Sequence, residues 1–177
     1  MNYKQLFFFV EGDDDERFFE RIIKPKFEEK CDTKILKYAQ VKNTKVDNFL
    51  KSIKAQGAEY IFIADIDSAP CVKSKKQEIR NKFRNVDIDR IIVVIKEIEG
   101  WYFAGLDTTS SKELKIHSVS IKTTDNITKE QFNNLIPKKF DSRIDFMLEI
   151  LKRYSIETAK QKNKSFKYFI EKYNCEV

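Results

Sequence analysis

Residues 6–16 read Leu6-Phe7-Phe8-Phe9-Val10-Glu11-Gly12-Asp13-Asp14-Asp15-Glu16, and the reading of this stretch decides the fold. Five consecutive large apolar residues do not make one side of an amphipathic element; they read as a strand buried on both faces. The run stops at Glu11-Gly12. Beyond it Phe18, Phe19, Ile22 and Ile23 recur at helical spacing, so the chain is expected to be helical from Asp14 to about Lys24, with Pro25 near the end. Gly12 permits a tight turn between strand and helix, which would set Glu11 at the strand tip. Asp13, Asp14 and Asp15 suit a helix N-terminus, where side-chain caps and the helix dipole favour negative charge.

The same alternation continues. Thr33 to Ala39 reads as a second strand. Val46, Phe49, Leu50 and Ile53 mark a helix that Gly57 would close. Tyr60-Ile61-Phe62-Ile63-Ala64 is a third buried strand, ending at Asp65-Ile66-Asp67; Lys73 to Phe83 is a charged helix; Ile91 to Ile95 is a fourth strand, ending near Glu97. Apolar strands alternating with helices imply an α/β, Rossmann-like fold, a four-stranded, mostly parallel sheet flanked by helices. Ligands of such sheets bind beyond the carboxyl ends of the strands. Three of these strands end in carboxylates.

The second half reads differently. Gly100 to Leu106 continues from the fourth strand as a short apolar segment, which places the sheet domain at residues 1–106. Asp107 to Thr128 is polar and rich in Thr and Ser, and is expected to be extended or looped. Ile144, Met147, Leu148 and Leu151 form a helical stripe capped by Asp141 or Ser142; Phe166, Phe169, Ile170 and Tyr173 form another, with Ser165 as its cap. Residues 107–177 are therefore expected to be a polar connection and a helical extension packed on the sheet domain. No internal repeat is present.

Composition bounds the function. A chain of 177 residues with 41% hydrophobic residues and 15 Phe can build a largely aromatic core, and 4 Gly with 3 Pro exclude a loop-rich or disordered protein. A net charge of +6 is compatible with a polyanionic partner, and a Lys-rich surface accounts for it equally well. Cys31, Cys71 and Cys175 share no metal-ligand spacing, which argues against a disulfide framework or a zinc site and for a reducing compartment. Leu6 to Val10 is too short for a signal peptide or a membrane span, so a cytoplasmic location is expected. No Gly-rich phosphate loop is present. The single His, His117, stands in a polar stretch without a partner in sequence, which argues against histidine-based acid–base chemistry.

Three acidic clusters carry the functional argument: Glu11 with Asp13 to Glu16, Asp65-Ile66-Asp67, and Glu97-Ile98-Glu99. Alternate residues of an extended segment point the same way, so each acid-x-acid pair can turn two carboxylates toward one ion. Carboxylates gathered at strand tips repel one another and need a cation; all-oxygen sites select Mg²⁺ first and Mn²⁺ second. Each cluster also has a purely structural account. Asp13 to Glu16 cap a helix, Asp65 and Asp67 form a turn, and Glu97 and Glu99 open a helix on the surface. Trp101 is expected to pack beside the sheet. The lysine-rich run from Lys152 to Lys172, including Lys160, Lys162 and Lys164, either tracks a phosphate backbone or is a solvated face.

A glutamate and glycine after the first strand, followed by Asp-x-Asp after a later one, resembles the Toprim domain. That domain occurs in topoisomerases, primases, recombination proteins and nucleases of the overcoming-lysogenization-defect type. The matching residues are Glu11-Gly12 and Asp65-Ile66-Asp67. Glu97-Ile98-Glu99-Gly100-Trp101, and the stretch Ala159 to Phe169 with Asn163 and Ser165-Phe166, are similar to parts of small stand-alone Toprim-like proteins. These resemble nucleases and are often associated with ATPase partners in defence against mobile elements. The resemblance implies a metal-dependent nuclease: Glu11, Asp65 and Asp67 catalytic and metal-binding, Glu97 or Glu99 completing a second metal position, Mg²⁺ or Mn²⁺ as cofactor, DNA or RNA as substrate, and phosphate contacts from lysines such as Lys73, Lys75 and Lys76. Two departures stand out. Ser68-Ala69-Pro70 follows the Asp-x-Asp where many Toprim domains have Gly, and Lys73, Lys75, Lys76 and Lys96 all compete for the catalytic lysine. These leave a second reading, a non-catalytic Toprim-like module that binds nucleic acid or an ATPase partner. A phosphoacceptor receiver domain fits the Asp-x-Asp and the helical tail poorly.

Overall fold

The computed structural model describes residues 4–116 and 122–173. They form two compact units that part between Val94 and Ile95.

The first unit is built on β1 (Lys4–Val10), β2 (Cys31–Lys37), β3 (Glu59–Asp65) and β4 (Ile91–Val94). The order is β2-β1-β3-β4 and every pairing is parallel. This is the α/β fold that the strand–helix alternation requires. α1 (Asp13–Phe18) runs through a π-helical stretch, Phe19–Ile23, into α2 (Lys24–Phe27). Pro25 explains the π-helical stretch: its ring clashes with the carbonyl four residues back and it has no N–H to donate, so the helix widens just before it instead of ending there. α3 (Asn43–Ala55) joins β2 to β3, and α4 (Val72–Lys82) with a 3₁₀ turn at Ile88–Arg90 joins β3 to β4.

Side chains alternate across the sheet as the strand period demands. Phe7, Phe9, Tyr60, Phe62, Ala64, Ile91 and Val93 pack in one cluster with Val46, Leu50 and Ile53 of α3 and Ile79 of α4. On the other face Phe8 meets Phe19 at 5.3 Å and Phe27 at 5.2 Å between ring centroids. Fully burying each such ring contributes on the order of 2–3 kcal/mol, which explains why an aromatic β1 makes a secure central strand. β1 hands the chain to a helix on one face and β3 hands it to α4 on the other. The crevice between their carboxyl ends is the switch point at which open α/β sheets bind ligands.

The second unit is helical: α5 (Glu99–Ala104), α6 (Thr108–Glu113), α7 (Lys129–Asn134), α8 (Arg143–Lys152), α9 (Ile156–Lys162) and α10 (Lys164–Lys172). Trp101 is fully buried within it. Its ring packs on Phe166 at 5.1 Å and Phe169 at 5.6 Å, and its Nε1 donates to Ser165 Oγ at 2.9 Å. Three details differ from the sequence reading. The apolar segment Gly100 to Leu106 is mostly helix and lies in this unit. The polar stretch after it contains α6, capped by Asp107, which accepts from Ser110 N–H at 2.7 Å. His117 lies outside the described residues. α10 is capped by Asn163, not Ser165: Asn163 Oδ1 accepts from Phe166 N–H at 3.0 Å, and Ser165 serves Trp101 instead. Ser142 does cap α8, accepting from Asp145 N–H at 3.0 Å. Gly105 is required by a close approach, since a Cβ there would lie 2.2 Å from the Tyr154 ring. Among the described residues no helix is long and apolar enough to cross a membrane.

A candidate cation site at the carboxyl edge of the sheet

The backbone holds the acids of the first unit at one edge. Tyr38 N–H donates to Val10 O at 3.0 Å and Ala39 N–H to Glu11 O at 3.3 Å, so the chain after β2 follows β1 past its end and fixes Glu11 there. Ile66 N–H donates to Val94 O at 2.9 Å, which holds the Asp-x-Asp turn against β4 in the same way. Phe9 pairs with Phe62, so Glu11 and Asp65 leave neighbouring parallel strands at nearly the same level. Asp65 closes β3 with its Oδ1 buried. Asp67 has φ of 48°, the left-handed region that Asp tolerates better than most residues. Its carboxylate pairs with the Lys75 ammonium.

A cavity of about 260 Å³ opens here, lined by Glu11, Tyr38, Asp67, Lys75, Glu78 and Lys82 over an apolar floor. Tyr38 is the residue that the sequence reading missed. Its ring lies 4.5 Å from Phe62, and its hydroxyl donates to Ile63 O at 3.0 Å. It therefore reaches across β1 from β2 to β3. Burial pushes its phenol well up, and the charges of Glu11, Asp15, Asp65 and Asp67 push it further. Glu11 and Asp67 share the cavity with this buried tyrosine. A lone aromatic at a strand end carries no sequence signal of such a role.

The remaining acids of the first cluster do what helix capping asks of them. Asp15 accepts from Gly12 N–H at 3.3 Å, Asp14 pairs with Arg17 at 2.6 Å, and Asp13 and Glu16 both pair with Lys37 at 2.8 Å. Hydrogen bonding to Lys37, then its charge, holds the Asp13 carboxyl below the usual range. Glu11 makes no side-chain hydrogen bond or ion pair among the described residues. Gly12 is less special than the sequence reading has it. Its φ of −146° is extended backbone, and a Cβ there would meet nothing within 4 Å.

The third cluster belongs to the helical unit and has protein partners of its own. Glu97 accepts from Lys129 N–H at the start of α7. Glu99 is buried and pairs with Arg143, whose guanidinium also donates to Asn133 Oδ1 at 2.9 Å and lies 5.3 Å from the Phe132 ring.

The candidate basic residues divide in the same way. Lys73, Lys75 and Lys76 are on the first turns of α4, directly after the Asp-x-Asp turn, with Lys73 exposed. In the helical unit Lys160, Lys162 and Lys164 line a groove of about 470 Å³ together with Asp125, Glu157 and Glu171. Two of these three are engaged: Lys160 pairs with Glu157 at 3.4 Å, and Lys162 donates to Leu106 O, where burial lowers its pKa.

The carboxylates at this edge are interspersed with the Lys75 and Lys82 ammonium groups. Among the described residues no three His, Cys, Asp or Glu side chains already stand as a metal cage. The positive charge beside Asp67 comes from Lys75. No family model matches the chain, and no curated protein matches it. Among solved structures, the chain is similar to the C-terminal region of the OLD protein of Xanthomonas campestris pv. campestris, at 13% identity with a TM-score of 0.45, over 99% of this chain and 100% of that one.

Proposed function

We propose that the protein is a Mg²⁺- or Mn²⁺-dependent phosphodiester hydrolase of the Toprim type, acting on nucleic acid through Glu11, Asp65 and Asp67. One observation carries the reading: the three acids leave two adjacent parallel strands at the switch point of the sheet, where Glu11 and Asp67 share a cavity with Tyr38. A divalent ion held there supplies charge to polarise a phosphodiester and to lower the pKa of an attacking water. Asp65 and Asp67 hold the ion. Glu11, which forms no ion pair among the described residues, serves as a further ligand or takes the proton of the water. Lys73 and Lys76, following the Asp-x-Asp turn on α4, are the candidates for contacts to backbone phosphates. An ATPase partner and a place in defence against mobile elements extend this reading on the Toprim resemblance alone.

The pairing of Asp67 with Lys75 favours a second reading, a non-catalytic module that binds nucleic acid or an ATPase with its carboxylates spent on the fold. The two separate in one experiment: labelled single- and double-stranded DNA and RNA, with Mg²⁺ or Mn²⁺, wild type beside Asp65→Asn. Metal-dependent cleavage that falls at least about 100-fold in the variant supports the hydrolase. Binding that weakens as salt rises, with no cleavage under any condition, replaces it with the module.

A further inference from the structure

The outward face of α10 belongs wholly to the helical unit, and what it can bind does not depend on an ion at the carboxyl edge of the sheet. Lys164, Lys167, Tyr168 and Glu171 recur at helical spacing and are exposed, while Phe166, Phe169 and Ile170 of the same helix are buried. Tyr168 is the odd member of that face. Its ring is 50% exposed where both Phe rings of the helix are fully covered, and the Lys172 ammonium lies 5.6 Å from its centroid. Beside it Lys164 and Lys167 line the groove of about 470 Å³ with Lys160 and Lys162 of α9. Three carboxylates share that groove, and each has a partner. Asp125 accepts from the backbone N–H of Lys164 at 2.8 Å, Glu157 pairs with Lys160 at 3.4 Å, and Glu171 meets Lys167 at 3.7 Å with both side chains half exposed. The Lys164 ammonium forms no ion pair or hydrogen bond among the described residues. Lys164 and the loosely held Lys167 are thus the charges that the groove leaves for an anion.

We infer that this face of α10, with the groove beside it, is a binding surface for single-stranded nucleic acid: Lys164 and Lys167 take backbone phosphates, and the Tyr168 ring stacks with an unpaired base. Lysines alone would suit any polyanion. The exposed ring narrows the choice, because an unpaired base offers a flat face to an aromatic side chain and a duplex keeps its base faces covered. One ring among charged neighbours is also too little apolar surface for a protein partner or a bilayer, which need a contiguous patch. The surface goes beyond the proposed hydrolysis, since it would hold a strand whether or not the sheet edge cuts it.

The test is fluorescence anisotropy with a labelled single-stranded oligonucleotide of mixed sequence, in EDTA, so that binding is read without a divalent ion and without cleavage. The double change Lys164→Gln with Lys167→Gln is expected to weaken binding roughly tenfold and to lower the slope of log affinity against log salt by about 1.4, at about 0.7 per phosphate contact. Tyr168→Ala is expected to weaken binding about tenfold with the salt slope unchanged, and Tyr168→Phe, which keeps the ring, to stay near wild type. Wild-type affinity in the lysine variant or in Tyr168→Ala overturns the inference, as does a wild type that binds no single strand. A duplex of the same sequence that loses as much affinity as the single strand on Tyr168→Ala overturns the stacking. A second measurement needs no variant to fold. Acetylation of the wild-type lysines should slow at Lys164 and Lys167 when the strand is bound and stay unchanged at the exposed Lys51 of α3. Undiminished acetylation of Lys164 and Lys167 in the complex overturns the assignment. All of these readings are independent of cleavage by wild type and Asp65→Asn, so failure here and failure of the hydrolase are told apart.

Discussion

Two acid-x-acid motifs follow strands in this chain, Asp65-Ile66-Asp67 and Glu97-Ile98-Glu99, and they meet opposite fates. After β3 the backbone stays irregular. Asp67 takes a left-handed conformation and lines a cavity in which its carboxylate pairs with Lys75. After β4 the left-handed residue is Lys96, which precedes the motif, and the chain then winds into α5. Glu97 is drawn to the first N–H of α7 and Glu99 is buried against Arg143. Spacing is the same in both. What differs is whether distant helices satisfy the carboxylates or the turn leaves an acid facing an opening.

The sharpest way to break this comparison is to remove the guanidinium. Arg143→Met removes the guanidinium paired with Glu99, whose side chain is 4% exposed. Stability should fall by about 2–4 kcal/mol in urea denaturation, and the double change Glu99→Met with Arg143→Met should recover much of that loss. Asp67→Asn, at the more exposed motif, should cost under about 0.5 kcal/mol, since Asn tolerates the same backbone region. Equal costs at the two motifs would mean that the acids of both are spent on the fold.

Tyr38 offers a smaller and more selective test. Tyr38→Phe keeps the ring against Phe62 and removes only the hydroxyl bonded to Ile63 O. A stability loss of about 1–2 kcal/mol is expected for the carbonyl left without its donor. If Tyr38 sets the spacing of the strand ends, Mn²⁺ affinity should fall along with it. A stability loss with affinity unchanged would assign Tyr38 to the core alone.

The sheet was legible in the sequence because its strands are buried on both faces and read as continuous apolar runs. The region from Leu6 to Val10 is buried throughout. The edge strand is less legible: β2 begins at Cys31, ahead of the expected Thr33, because Asp32 and Lys34 are exposed there and interrupt the apolar signal. Glu11, Asp65 and Asp67 could be placed because topology alone puts the residues after parallel strands at one edge. Tyr38 could not, since its role depends on reaching across β1 to a carbonyl of β3. The roles of Glu97 and Glu99 were hidden for a related reason. Their partners lie 32 and 44 residues away, on helices whose packing no local pattern specifies.

A further small effect concerns the amino edge of the same sheet, where Glu59 and Asp87 pair with protein cations. Glu59 pairs with Lys4 at 2.7 Å and also with Arg90. Hydrogen bonding from Lys4, against the effect of burial, holds its carboxyl below the usual 4.5. Burial raises the Asp87 carboxyl, but hydrogen bonds from Lys54 and Tyr60 outweigh it and leave the group below 3.8. For both groups the folded state binds the proton more weakly than the unfolded state. Their contribution is therefore complete above about pH 5 and is lost as pH falls through the depressed folded values. Each pair is half-solvated and contributes under about 1 kcal/mol. Asp87→Asn should thus lower stability slightly at pH 7 and converge on wild type as pH falls from 5 toward 2, when unfolding free energies are compared across that range. If the carboxyl edge holds Mg²⁺ as proposed, the added ion should leave this convergence untouched and raise the stability of both proteins equally at pH 7. A Mg²⁺-dependent gap between the two proteins would place the cation at the wrong end of the sheet.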